Sequence, residues 1–202
     1  MASGKIGLFG GAGSGKSLVA EIFKTKYNAL IIEADKVAHK LYEKNAAGYN
    51  ELVKLFGNEI LNDDYNIDRN KLGDILYSNE GSRLKVNEII HPLVYKEIEK
   101  LCSEYHGLVI YEAAILPETD EIKDELNLDC AIYVYSSEDT RRKRLKETRG
   151  YSDERVDQIL TSQADEQSFR SFCDYVIDNN GNLEELEREV DAAFEYCQRK
   201  QR

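Results

Sequence analysis

No stretch of this chain stays apolar for long enough to cross a bilayer, which argues against a membrane-spanning helix. The opening residues Met1-Ala2-Ser3-Gly4-Lys5 lack the apolar centre of a secretory signal, so the expected location is cytoplasmic. Cys102, Cys130, Cys173 and Cys197 are scattered and form no C-x-x-C pair. That distribution argues against a metal or disulfide framework and fits a reducing compartment. Cys130 falls in an apolar run and reads as a small buried hydrophobe. Excess positive charge is also missing. The formal net charge is −11, which disfavours nucleic acid as a partner. Prolines are few, only Pro92 and Pro117, and no repeat, low-complexity tract or flexible linker is present. What remains is 202 residues, 42% hydrophobic and 32% charged, an ordinary composition for one domain or one with insertions.

Against that plain background one stretch stands out. Gly10-Gly11-Ala12-Gly13-Ser14-Gly15-Lys16-Ser17 fits G-x-x-x-x-G-K-[ST], the phosphate-binding loop of P-loop nucleotidases. Ile6-Gly7-Leu8-Phe9 before it reads as a buried strand, and Leu18 to Phe23 after it has apolar residues at helical spacing. The chemistry needs that order. Glycines let backbone N–H groups converge on phosphate oxygens, and a helix N-terminus adds partial positive charge. Lys16 is expected to reach the β- and γ-phosphates of ATP, and Ser17 to place its hydroxyl on Mg²⁺.

Four further apolar runs, Ala29–Ile32, Leu108–Tyr111, Ala131–Tyr135 and Tyr175–Ile177, read as parallel strands buried on both faces. With helical patterns between them, the fold class expected is α/β, a five-stranded parallel sheet flanked by helices. The stretch from Lys36 to Tyr105 has helical periodicity and no strand signal, and it is longer than a crossover helix needs. It reads as a helical insertion for the second substrate. The expected division is a nucleotide-binding core at 1–35, 106–137 and 171–202, an insertion at 36–105, and a lid at 138–170.

Acids and bases fall at suggestive places. Glu33 and Asp35 follow the second strand, where Asp35 could take a proton from an attacking hydroxyl or could N-cap a helix starting at Lys36. Glu112 ends the third strand, the position of a Walker-B acid that holds Mg²⁺, or of a plain loop residue. The run from Arg141 to Arg149 is either a solvated helix face or a lid over the triphosphate. Spacing does not say which of Arg141, Arg142, Arg144 and Arg149 acts. His91 before Pro92 reads as a helix-end or core residue, or as a functional one; His39 lies four residues from Asp35, and His106 reads as a loop residue.

Taken together, these residues resemble the dephospho-coenzyme A kinase family from about Lys5 to Glu189. Gly10 to Ser17 matches G-G-x-G-S-G-K-S, and Ile32 to Ala38 resembles a D-A-D-x-x-A motif. Ile67 to Leu72 looks like D-R-x-x-L, and Ile89 to Val94 matches I-x-H-P-L-V. Asp157 to Gln163 resembles a helix ending in glutamine, and Asp174 to Gly181 matches D-Y-V-I-D-N-x-G. The resemblance implies a kinase that uses ATP and Mg²⁺ to phosphorylate the ribose 3′-hydroxyl of dephospho-coenzyme A. It implies Asp35 as base, Arg144 on the ATP phosphates, Asn179 near the adenine, and Arg69 and His91 toward the coenzyme substrate. Partners are then small molecules only, with the chain a monomer or small homo-oligomer. The chain departs from the family pattern at Glu33, where aspartate is usual, and at Ala114 within Glu112 to Glu118, where proline is usual. The Arg144 to Arg149 spacing is one longer than usual, and Phe169 stands at a usual lysine, with Arg170 beside it. A nucleoside or nucleotide kinase would share the loop, the strands and the lid. A GTP-binding switch would need N-K-x-D, which neither Asn45-Ala46 nor Asn70-Lys71-Leu72-Gly73 supplies.

Overall fold

The structure, a computed structural model, describes residues 4–114, 116, 123 and 126–200. The apolar runs become five strands: β1 Gly4–Phe9, β2 Leu30–Glu33, β3 Leu108–Ala113, β4 Cys130–Tyr135 and β5 Tyr175–Asp178. They pair in parallel as one sheet in the order β2-β3-β1-β4-β5. β1 is therefore central, and the loop that follows it opens where the chain turns to opposite sides of the sheet. That is where α/β folds bind ligands, outside the carboxyl ends of the strands.

Four α-helices lie between β2 and β3, α2 Ala34–Leu41, α3 Ala47–Phe56, α4 Arg69–Ser78 and α5 Glu80–Ser103, with a 3-10 turn at Gly57–Ile60, while α1 Lys16–Tyr27 precedes them. After β4 come α6 Glu138–Arg149, α7 Asp153–Thr161 and α8 Glu166–Phe172, and after β5 comes α9 Leu183–Lys200. The chain divides into two compact units, Met1–Glu33 with Tyr105–Arg202 and Ala34–Glu104. The helices from 138 to 170 belong to the first unit.

In the first unit, Ile6, Leu8, Ile110, Ile132, Val134 and Ile177 of the sheet are buried with Val19 and Phe23 of α1 and Leu186 and Val190 of α9. Each such side chain, fully removed from water, contributes roughly 1.5–3 kcal/mol. One expectation needs correcting here. Cys130 is buried, but it is joined to Cys197 in a disulfide, with their Cα atoms 5.6 Å apart. Scatter along the sequence says nothing of distance in space, and the fold brings the start of β4 against the end of α9. Cys102 and Cys173 take no part in that bridge.

The second unit is organised on α5, whose Val86, Ile90, Val94, Ile98 and Cys102 form one buried stripe at four-residue spacing. α2, α3 and α4 pack against it, with Val37, Leu52 and Leu72 buried. Pro92 sits inside α5, although proline removes one helical hydrogen bond; the apolar stripe on both sides of it carries the helix through. α2 begins at Ala34, so Asp35 lies within its first turn and is not the cap of a helix starting at Lys36. Ile115, Pro117 and Glu118 of the Glu112 to Glu118 segment lie outside the described residues.

Candidate active site

β1 ends at Phe9 and α1 starts at Lys16, so Gly10 to Gly15 form the turn between a buried strand and a helix. Gly15 caps α1 with φ 91°, a left-handed backbone that other residues adopt only with strain, and an added Cβ would collide with the Asn179 amide. No side chain caps α1 and no acid occupies its first turn. The start of the helix is thus left for an external anion.

Lys16 is 8% exposed, and its Nζ donates to the carbonyls of Gly10 at 2.6 Å and Gly11 at 3.2 Å. Its ammonium is folded into the loop, where a phosphate would compete for it. Ser14 is fully buried, and its hydroxyl has no hydrogen-bond partner among the described residues. An unpaired buried hydroxyl costs about 1–3 kcal/mol, a cost the loop carries in this form.

Ser17 Oγ donates to Glu112 Oε1 at 3.2 Å. Glu112 reaches this place because β3 is hydrogen-bonded beside β1, with Leu8 opposite Glu112. On the other side of β3, Glu33 of β2 stands opposite Glu112 in the register. A hydroxyl beside a carboxylate, with a second acid on the next strand, is an oxygen set suited to Mg²⁺. That ion keeps several waters and takes one or two protein ligands. Among the described residues no group of three acids, histidines or cysteines forms a protein-only metal cage.

The basic run is sorted by its helix. Arg141 and Arg144, three residues apart on α6, both turn to the loop. Arg144 Nη1 donates to the Gly13 and Ser14 carbonyls, each at 3.3 Å, and to Ser136 Oγ at 2.9 Å; its Nη2 donates to the Asn179 carbonyl at 2.9 Å. Arg141 Nε donates to the Ala12 carbonyl at 2.9 Å, and its Nη2 donates to Gln163. Burial lowers the pKa of both guanidiniums, which start high enough to stay charged. Arg142 instead pairs with Glu138 and Asp157, and Lys146 with Asp153, which ties α6 to α7.

Asn179, just after β5, is 3% exposed and donates from Nδ2 to the Ser14 carbonyl at 2.7 Å. Its backbone carbonyl accepts from Ser136 Oγ at 2.8 Å and from Arg144. Ser136 also donates toward the Ser14 carbonyl at 3.1 Å. The loop therefore rests on a polar floor of buried Ser136 and Asn179 and half-buried Arg144. Sequence reading missed Ser136 altogether and left Gln163 as a motif letter without a task. A polar residue directly after a buried strand was the available signal for Ser136.

Asp35, Arg69 and His91 lie in the second unit. Asp35 is exposed in the first turn of α2, two residues past the end of β2. Arg69 is the first residue of α4, after Asp68, whose carboxylate caps the helix by accepting from the Asn70 and Lys71 amides. It lies close enough to the Tyr42 hydroxyl for its charge to oppose the upward push that burial gives that phenol. His91 is exposed in mid-helix on α5, its ring 6.0 Å from that of Tyr95, and so is neither a helix-end nor a core residue. His106 lies in the loop before β3.

Comparison with other proteins brings in one family by sequence and several kinases by fold. The family model for dephospho-CoA kinase matches residues 5–185. A dephospho-CoA kinase of Aquifex aeolicus is 38% identical over 193 residues, covering 95% of this chain and 96% of that protein. Among solved structures, a Thermus thermophilus protein superposes with a TM-score of 0.79 at 24% identity, covering 97% of this chain and 98% of that one. A dephospho-CoA kinase of Campylobacter jejuni superposes with a TM-score of 0.64 at 21% identity, covering 98% of each chain.

Proposed function

The chain belongs to the dephospho-CoA kinase family, and from that premise we propose how its own residues perform the family's reaction. That reaction transfers the γ-phosphate of ATP to the ribose 3′-hydroxyl of 3′-dephospho-coenzyme A, giving coenzyme A and ADP. The observation that carries the assignment of the donor half is the placement of Ser17 against Glu112 beside a loop that buries Lys16.

The amides at the start of α1 take the β- and γ-phosphate oxygens, and Lys16 exchanges its bonds to the Gly10 and Gly11 carbonyls for bonds to phosphate. Ser17 and Glu112 would hold Mg²⁺, which would supply positive charge against that of the phosphates. Arg144 adds positive charge from beneath the loop, through the carbonyls it braces. Asn179 sets the same floor, next to the nucleotide.

Asp35 receives the proton of the 3′-hydroxyl. The oxygen so activated attacks the γ-phosphorus, the bond to the β,γ-bridging oxygen breaks, and ADP leaves with that electron pair. Arg69 and His91, exposed on α4 and α5, bind the coenzyme substrate, with Arg69 suited to its phosphates. Residues 36–105 are the substrate segment in this reading, and 138–170 cover the nucleotide. The enzyme acts in the cytoplasm, on small molecules. Among the described residues no helix is long and apolar enough to cross a membrane.

A coupled assay of ADP release, offering dephospho-coenzyme A beside nucleosides and nucleoside monophosphates, tests the acceptor. ADP release is expected with dephospho-coenzyme A alone. Release only with a nucleoside or nucleotide would overturn the acceptor assignment.

A further inference from the structure

Ala12 is the one non-glycine among the first four residues of the loop, and its side chain offers no hydrogen bond. Its backbone is nevertheless held at both ends. The Ala12 carbonyl accepts from Arg141 Nε at 2.9 Å, and the Ala12 amide donates to Gln163 Oε1 at 3.1 Å. Arg141 Nη2 donates to the same Gln163 oxygen, so the two side chains also hold each other. The three partners form a closed ring around one peptide residue.

Fixing two long side chains costs rotamer entropy, so such a ring persists only where its members are already placed. Here they are. Gln163 follows α7, which Arg142 and Lys146 tie to α6 through Asp157 and Asp153. It precedes α8, whose Phe169 stacks on Tyr133 of β4 with ring centroids 4.8 Å apart. Both Arg141 and Gln163 are half-buried, where hydrogen bonds gain strength from lost water. The loop makes room for them as well. A Cβ on Gly11 would collide with the Arg141 guanidinium and lie 2.6 Å from Gln163 Oε1. The second glycine of the loop thus answers to this pair as well as to phosphate.

We propose that Arg141 and Gln163 form a clasp on the Ala12 peptide that keeps the phosphate-binding loop in its anion-ready shape, and that both are positioning residues for nucleotide binding. The clasp rests on the reading of the loop as the nucleotide site. It differs from the polar floor of Ser136, Arg144 and Asn179 in gripping the loop at its entrance, two residues before Ser14.

Hydrogen–deuterium exchange of the amides of residues 10–15, without nucleotide, reads the clasp directly, and ADP with Mg²⁺ is the binding probe. Gln163→Leu keeps volume and loses the acceptor; Arg141→Met keeps length and loses the donors. Each is expected to raise loop exchange about tenfold and to weaken ADP about tenfold, the scale of a lost charge-assisted hydrogen bond. Gln163→Glu keeps an acceptor and is expected to restore wild-type exchange. Gly11→Ala supplies a second readout. It should raise exchange in the wild type, where it displaces the clasp, and change it little in Arg141→Met/Gln163→Leu, where the space is vacant. Unchanged loop exchange in Gln163→Leu, or an equal Gly11→Ala effect in both backgrounds, would overturn the clasp. A lowered melting temperature with unchanged exchange and ADP affinity would also overturn it, since that is a merely structural role. A wild-type protein that fails to bind ADP would instead overturn the nucleotide-site reading, leaving exchange to judge the clasp.

Discussion

Replacing Asp35 by Asn keeps the size of the side chain and removes its capacity to take a proton. Steady-state kinetics of that variant should show kcat lowered by roughly 100-fold, with a much smaller rise in the KM for ATP. Near-normal turnover would remove Asp35 as the base. Lys16→Ala should nearly abolish turnover while circular dichroism shows the fold retained; full activity in that folded variant would sink the role given to the loop. Glu112→Gln keeps the bond to Ser17 possible but removes a charge from the proposed Mg²⁺ site. The Mg²⁺ concentration for half-maximal activity should rise roughly tenfold, read from titrations at saturating ATP. The place of Lys16 and Ser17 at the start of α1 was legible from the loop motif, and that of Glu112 from the apolar run of β3. The places of Arg141, Ser136 and Gln163 were not. Their partners on the loop are backbone groups more than 120 residues away in the chain, such as Ser136 to Ser14, and a backbone carbonyl leaves no mark in a sequence.

α6 shows how an element sorts what a charge count cannot. Its cationic run reads as one face, yet Arg141 and Arg144 meet the loop while Arg142 and Lys146 meet acids of α6 and α7. The strands were legible from short runs of β-branched and aromatic residues, to within one or two residues at most ends. The start of α2 was not, since Asp35 serves equally as a cap or as a first-turn residue by sequence pattern. At the far end of the core, Asp174 joins β5 to α9 and β4. Lys200 Nζ lies 2.8 Å from its Oδ1, and the Ala131 amide donates to its Oδ2 at 2.8 Å. Burial alone would raise the pKa of this carboxyl, but those two donors and the positive charge of Lys123 outweigh it and hold the value below the usual one. Because the folded value is the lower, the carboxylate contributes stability above the ordinary range near pH 4 and loses it as pH falls through the folded value. Thermal unfolding from pH 7 down to pH 2 should therefore show a melting temperature that falls less steeply for Asp174→Asn than for the wild type. Parallel curves would remove Asp174 as a contributor.

At the scale of the whole molecule the disulfide is a long-range covalent tie, with Cys130 and Cys197 separated by 67 positions. Loop-closure entropy for that separation amounts to about 4 kcal/mol, and for a protein of this size that is roughly 10 °C in melting temperature. Reduction should lower the melting temperature by that order, and Cys197→Ser should make it insensitive to reductant. A wild-type melting temperature indifferent to reduction would overturn the contribution assigned to the bridge. The sheet order has a consequence of another kind. β1 is the first strand made, but its two neighbours are β3 and β4, which begin at Leu108 and Cys130. At about 5–20 residues per second, synthesis leaves β1 without both partners for roughly 6–25 s. The loop behind it waits longer still, because Ser136, Arg144, Gln163 and Asn179 are all made after β4. The loop proposed to grip the nucleotide is thus among the first segments synthesised and among the last to meet its partners. On the proposed reading, the nucleotide loop of an emerging chain lacks its last support until Asn179 is made.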